Sequence, residues 1–218
     1  MNTIWKEFSD QNMADYKTVI FDIGGVLTDY MEREFYVLRG YSQEMADRLC
    51  RATMRSGYWD EFDLGRLGQP GIISIFQQQD PEIADEIRAA LQDVSLLVRR
   101  RASAIPWIRS LKEDGYSVLY LSNFAEQAHR QCSEALDFVS EMDGGIFSFQ
   151  CHLVKPDPAI YQLLIDQFQL QPKTCVYIDD TAKNLVPAGK LGMQTIQYLS
   201  QEQAERELNR LLGRVTPR

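Results

Sequence analysis

The sequence predicts a doubly wound α/β fold, a parallel sheet flanked by helices, with an α-helical cap inserted into one crossover. Three observations predict it. Short runs of β-branched and aromatic residues recur without apolar–polar alternation, as in parallel strands covered on both faces. Helical periodicity separates these runs, and strand–helix alternation implies parallel pairing through crossovers. One crossover is much too long for a single helix.

Taken in order, Thr18-Val19-Ile20-Phe21 is the first strand. From Asp29 to about Ser103 no good strand is legible. Ser42 reads there as a helix N-cap with Met45 and Leu49 on the face behind it. Gly71 to Gln77 carries Ile72, Ile73 and Phe76, and Pro81 to Val94 aligns Ile83, Ile87, Leu91 and Val94 on one stripe. Ala104 to Lys112 repeats Ile105, Ile108 and Leu111. Ser117 to Leu121 is a second strand. Asp157 and Pro158 open a helix with Ile160, Leu163, Leu164 and Phe168 on one face. Cys175 to Ile178 and the weaker Gln194 to Ile196 complete the strands, and Gln201 to Leu212 forms a closing amphipathic helix. The expected division is a core of residues 16–29 and 104–218, a helical cap of 30–103, and an N-terminal extension of 1–15. On that extension Ile4, Trp5 and Phe8 could make a short apolar stripe, expected to dock on the protein itself or to be disordered rather than to bind a partner. The cap would overhang the carboxyl edge of the sheet, where open α/β sheets bind ligands, and is expected to act as a lid.

Composition narrows the partners. The chain has 218 residues and a formal net charge of −8, which disfavours nucleic acid, because a phosphate backbone rewards a basic face. Arg99-Arg100-Arg101 is the one basic run and reads as a solvated helix end. No apolar run approaches the ~18 residues that suggest a membrane span. The first residues lack a secretory pattern, and Cys50, Cys132, Cys151 and Cys175 form no CxxC pair. A cytoplasmic, reduced protein is expected.

Polar residues cluster at strand ends. Asp22 follows the first strand, Ser122 and Asn123 the second, Asp179 and Asp180 the third. In a parallel sheet these ends lie side by side. Lys155 joins them from a loop stiffened by Pro156 and Pro158. Each feature alone is an ordinary turn or cap; together they describe a site. Three carboxylates converging under one lysine call for a divalent cation, and Mg²⁺ prefers oxygen ligands. Carboxylate nucleophile, magnesium, lysine and small donors suit a phosphoryl group. Gly24 and Gly25 allow close backbone approach. Tyr58, Trp59 and Phe62 either face a substrate or form cap core. His129 and His152 stand too isolated to be assigned.

These motifs resemble those of the haloacid dehalogenase (HAD) superfamily. FDIGGVLTD is similar to its first motif, LSN to the second, KPDPAIY to the third and YIDDTAKN to the fourth. The resemblance implies a Rossmann-like HAD core with the helical cap inserted after the first motif, and most members are phosphatases. It implies that Asp22 is the nucleophile, forming an aspartyl-phosphate. Ser122 and Lys155 would bind phosphate with Asn123 assisting, and the Gly25 backbone would approach it. Asp22, Asp180, Asp179 and the Gly24 carbonyl would hold Mg²⁺. The expected substrate is a small phosphorylated metabolite.

One position departs from the pattern. Two residues after the nucleophile the family carries a second Asp, which protonates the leaving alcohol; here it is Gly24. General acid–base catalysis contributes about 10²–10⁴-fold, or roughly 3–5 kcal/mol of barrier. Slow turnover biased towards leaving groups that need no proton is therefore expected, with Asp29 as a conceivable substitute acid. Two other functions fit the sequence: a weakly catalytic or non-catalytic regulatory protein that binds a phosphometabolite, and a 2-haloacid dehalogenase, which needs no proton donor.

Overall fold

The structure, a computed structural model, describes residues 15–214. The stripe of Ile4, Trp5 and Phe8 lies outside the described residues. In chain order the elements are β1 (Thr18–Phe21), β2 (Thr28–Tyr30), α1 (Glu32–Leu38), α2 (Gln43–Ala52), α3 (Trp59–Leu64), α4 (Gln69–Gln79), α5 (Ala84–Leu91) and β3 (Val98–Arg100). They continue with α6 (Ala104–Glu113), β4 (Ser117–Ser122), α7 (Glu126–Gln131), β5 (Gly144–Phe147), α8 (Ser148–Cys151), α9 (Pro158–Gln167), β6 (Cys175–Asp179), α10 (Ala182–Lys190), β7 (Gln194–Gln197) and α11 (Gln201–Leu212).

Five strands form one sheet in the order β5-β4-β1-β6-β7, every pairing parallel. Both faces are covered, which is why the strands do not alternate. Val19 and Phe21 pack on one side with Trp107, Ile108 and Leu111 of α6 and Leu208 of α11. Ile20, Leu119, Leu121 and Tyr177 pack on the other with Ile160, Tyr161 and Leu164 of α9. The Phe21 ring meets Trp107 edge-on at 4.7 Å. Burying each such side chain stabilises the fold by about 1.5–3 kcal/mol.

The predicted caps are present. Ser42 Oγ accepts from the Met45 amide at 3.2 Å, and Asp157 accepts from the Ala159 amide at 2.9 Å, with Pro158 in the first turn of α9. Helix α11 runs from a Ser200 cap to Gly213.

The stretch expected to lack strands contains two. Strands β2 and β3 pair antiparallel, Thr28 against Arg100 and Tyr30 against Val98, at the two ends of the inserted helices. Three residues each is too short for a periodicity to register. Arg99 and Arg100 of the basic run are therefore strand rather than helix end, and Arg101 follows directly. Arg99 lies 2.9 Å and Arg101 2.8 Å from Asp29, and Arg100 reaches Asp137 at 3.1 Å. The stripe from Pro81 to Val94 narrows to α5, preceded by a 3₁₀ turn over Pro81–Ile83. Strand β5 was not legible because it begins with Gly144 and Gly145, which read as a turn. Gly145 is required by contact: at φ +156° a β-carbon there would lie 2.3 Å from the Tyr120 carbonyl.

Candidate active site

Register explains the convergence. Phe21 stands level with Tyr120 of β4 and Ile178 of β6, so the next residue, Asp22, emerges beside Asp179. Asp22 is 7% exposed. Its amide donates to the Ile178 carbonyl at 2.8 Å, and its Oδ1 accepts from the Ile23 amide at 2.7 Å. Beyond it the chain winds around one atom: the amides of Leu27 and Thr28 both donate to the Ile23 carbonyl at 2.9 Å.

Lys155 lies between two carboxylates, its Nζ 2.9 Å from Asp22 Oδ2 and 2.7 Å from Asp179 Oδ2. Asn123 sets its backbone, accepting from the Lys155 amide at 2.7 Å and donating to its carbonyl at 3.0 Å. Asn123, expected to assist with phosphate, thus uses both side-chain atoms on the lysine loop. Ser122 is 1% exposed and lies behind the cavity wall, its hydroxyl 3.5 Å from the Asn123 carbonyl.

Asp179 is fully buried and saturated. The Thr181 amide donates to Oδ1 at 2.8 Å, Asn184 Nδ2 spans both oxygens at 3.1 and 3.2 Å, and Tyr177 donates its hydroxyl to Oδ2 beside Lys155. Asp180, one residue on, is exposed and lines the cavity. One oxygen from each of Asp22, Asp179 and Asp180 lies within 4.8 Å of the others.

The titration behaviour follows. Burial pushes Asp22 up to about 7 against the pull of Lys155, with Asp179 and Asp180 adding to the rise. Burial also acts to raise Asp179, but Lys155, Tyr177 and the Thr181 amide outweigh it and hold the carboxyl below its ordinary value. Burial works to lower Lys155; Asp22 and Asp179 overcome it and raise the amine. The buried trio carries one excess negative charge, and Asp22 is the member whose carboxyl is raised by it.

The donor set fits a hard divalent cation. It is all oxygen, its surplus charge is negative, and Asn184 Oδ1 is buried without a partner among the described residues, as an acceptor for a cation-bound water would be. Gly25 supplies the cradle: at φ +73° a β-carbon there would lie 2.3 Å from Asp180 Oδ2.

Above these residues opens a cavity of about 300 Å³. Asp22, Gly24, Gly25, Asn123, Lys155 and Asp180 form its polar floor, and Tyr30, Met54, Trp59, Leu97 and Phe124 are among its apolar walls. Trp59 does two jobs, stacking on Phe76 at 5.7 Å while facing the cavity. Phe62 is core and Tyr58 is exposed. Asp29 is not a free acid: Arg101, then Arg99, hold its carboxyl below the usual range. His129 packs on Phe147 at 4.7 Å and His152 bonds the Leu64 carbonyl at 2.8 Å.

Two residues escaped sequence reasoning. Tyr177 sits within a strand where only its apolar character was legible. Asp63, in α3, lines the cavity and is 8% exposed; an acid between Phe62 and Leu64, both buried, was the available signal.

A haloacid dehalogenase-like hydrolase model matches residues 16–192, and the chain belongs to that family. It is 28% identical to acyl-CoA dehydrogenase family member 10 of Mus musculus over 91% of its own length and 19% of that protein's. It is 22% identical to sesquiterpene phosphatase astK of Aspergillus oryzae, covering 91% of this chain and 97% of that one. It is also 22% identical to (S)-2-haloacid dehalogenase 1 of Pseudomonas sp., covering 85% of each. The chain spans about a fifth of the length of the first curated relatives it matches. Among solved structures, the magnesium complex of a HAD family enzyme from Bacteroides thetaiotaomicron superposes with a TM-score of 0.70 at 19% identity, covering 89% of this chain and 98% of that one. Among the described residues no helix is long and apolar enough to cross a membrane.

Proposed function

We propose that the protein is a Mg²⁺-dependent phosphatase of small phosphorylated metabolites, working through an aspartyl-phosphate on Asp22. The carrying observation is the Lys155 Nζ placed 2.9 Å from Asp22 and 2.7 Å from Asp179 on the floor of the cavity. Asp22, Asp180 and the Gly24 carbonyl would hold the cation, with Asp179 behind them; when bound it neutralises charge on the phosphoryl oxygens. Lys155 binds the same oxygens and keeps Asp22 aimed. Asp22 attacks phosphorus in line with the departing oxygen. Asp179 holds Lys155 in place rather than touching substrate. Residues 30–103 act as a cap that excludes water over a core of 16–29 and 104–218. The free cysteines and the absence of a spanning helix among the described residues support a cytoplasmic protein.

The test is a panel of phosphate esters with and without Mg²⁺, beside Asp22→Asn. Hydrolysis that needs both the cation and Asp22 is expected. Phosphate-analogue binding without turnover on any ester would favour the regulatory, ligand-binding reading instead. The likeness to a haloacid dehalogenase motivates a second reading. Chloride release from 2-chloropropionate, unaffected by a chelator, would establish it.

A further inference from the structure

We infer that Asp63, held over the cavity by the inserted helix α3, is the proton donor to the leaving oxygen, filling the role left empty by Gly24. This rests on the phosphatase reading and removes its main difficulty.

Asp63 is buried to 8% exposure, yet its side chain makes no hydrogen bond among the described residues. Its carboxyl oxygens are not among the fully buried atoms left without a partner, and the residue lines the cavity. The backbone around it is fixed nonetheless. Ser148 Oγ donates to the Asp63 carbonyl at 2.6 Å. Trp59 and Phe62 of the same helix pack edge-to-face at 5.0 Å. Gly65 closes α3 in the left-handed conformation. The core of the protein therefore clamps an unpaired acid against the same cavity that Asp22, Lys155 and Asp180 line from below.

The acid is also in the right form. The charged and titratable groups around it are Asp60 on its own helix, Asp22 and Lys155 from the core, and Tyr30. Burial, then Asp60 and Asp22, push its carboxyl well above the ordinary range against Lys155. Burial and the neighbouring acids favour its protonated form, the form a donor needs.

The steps balance. An Asp22 oxygen bonds to phosphorus as the phosphorus–oxygen bond to the alcohol breaks, and the Asp63 proton passes to that oxygen. The products are an alcohol, an aspartyl-phosphate and the Asp63 carboxylate. That carboxylate then takes a proton from water as the water oxygen attacks phosphorus. The bond to Asp22 breaks, inorganic phosphate leaves, and Asp63 is protonated again.

The experiment compares n-hexyl phosphate, whose alkoxide needs a proton, with 4-nitrophenyl phosphate, whose phenolate does not, using the full chain with Mg²⁺. In Asp63→Asn, hexyl phosphate turnover is expected to fall by about 10²–10⁴-fold. With the nitrophenyl ester, phosphorylation of Asp22 persists while its hydrolysis stalls, giving a nitrophenolate burst approaching one per enzyme. Adding Gly24→Asp is expected to recover hexyl phosphate turnover at least tenfold, because a β-carbon at Gly24 meets nothing within 4 Å. Equal losses on both esters without a burst, hexyl phosphate turnover within twofold of wild type, or no recovery in the double variant would each overturn the inference. A wild type that hydrolyses neither ester and never labels Asp22 overturns the phosphatase reading itself, and this inference with it.

Discussion

Gly25 and Asp180 are packed so closely that no side chain fits between them: a β-carbon on Gly25 would stand 2.3 Å from Asp180 Oδ2 and 2.7 Å from Cγ. Gly25→Ala must displace the carboxylate and force alanine to φ +73°. The left-handed backbone costs about 1–2 kcal/mol, read as a lower urea midpoint. Disturbing the ligand geometry is expected to raise the Mg²⁺ concentration needed for half-maximal activity by about 10–100-fold. An unchanged Mg²⁺ requirement would remove Asp180 from the cation site.

Lys155 is the neutralising group for two buried acids. Lys155→Met keeps the volume and removes the charge, leaving Asp22 and Asp179 facing each other. Breaking such a buried pair costs about 3–5 kcal/mol. The loss is expected in full in chelator by thermal or urea unfolding, and in part when Mg²⁺ is restored. Activity is expected to be lost under both conditions.

Stability of the metal-free protein should fall as the pH rises from 5 to 7.5. A carboxyl with a folded pKa above its unfolded value binds its proton more tightly when folded. Its contribution is complete below the unfolded value of 3.8 and is lost as the pH passes through the folded value, about 7 for Asp22. Asp63 and Asp180 are raised as well and act in the same direction. The lowered surface carboxyls, Asp29, Asp80 and Glu141, act at more acid pH. Urea titrations in chelator should show this slope, and Asp22→Asn should flatten it. A wild-type slope of the opposite sign would mean that Asp22 is ionised in the folded apo protein.

Arg101 ties the ribbon to the core. Its Nε donates to Asp29 at 2.8 Å, its Nη1 to the Val26 carbonyl at 3.0 Å and the Tyr198 hydroxyl at 2.7 Å, and its guanidinium lies over the Tyr198 ring at 5.1 Å. Arg101→Ala removes a charge-assisted bond and leaves polar partners half-satisfied, an expected loss of about 1–3 kcal/mol. Amide exchange in β2 and β3 should accelerate while β1 and β6 stay protected. Uniform exchange across both sets would show that the ribbon does not open on its own.

What was legible in the sequence follows from physics that acts locally. The runs at Thr18, Ser117 and Cys175 are buried on both faces, so their composition alone declares them. The motif residues Asp22, Asp179 and Asp180 were found because strand ends in a parallel sheet must be neighbours, and Lys155 from the proline-stiffened loop before α9. Partition of labour within the site was not legible. That Asn123 serves the lysine loop, that Ser122 lies behind the wall and that Asp179 is saturated depend on rotamers and distances that no spacing encodes. Strands β2 and β3 are defined only by each other, across the whole inserted segment. Asp63 carried only a faint signal, its place between Phe62 and Leu64: an acid on a short helix reads as solvent-facing until the opposite wall of the cavity is known.

The β2–β3 pairing brings the two ends of the segment between them to one place. The chain departs and returns through adjacent rungs, Thr28 opposite Arg100, and the five-stranded sheet closes its order without help from anything between them. Exchanging the segment from Met31 to Leu97 would therefore leave Asp22, Lys155, Asp179 and Asp180 on the floor but take Asp63 away with it. Substrate choice and protonation of the leaving group then fall on the same stretch of the chain, apart from the nucleophile, and a new leaving group calls for a rebuilt roof that still carries an acid where Asp63 stands.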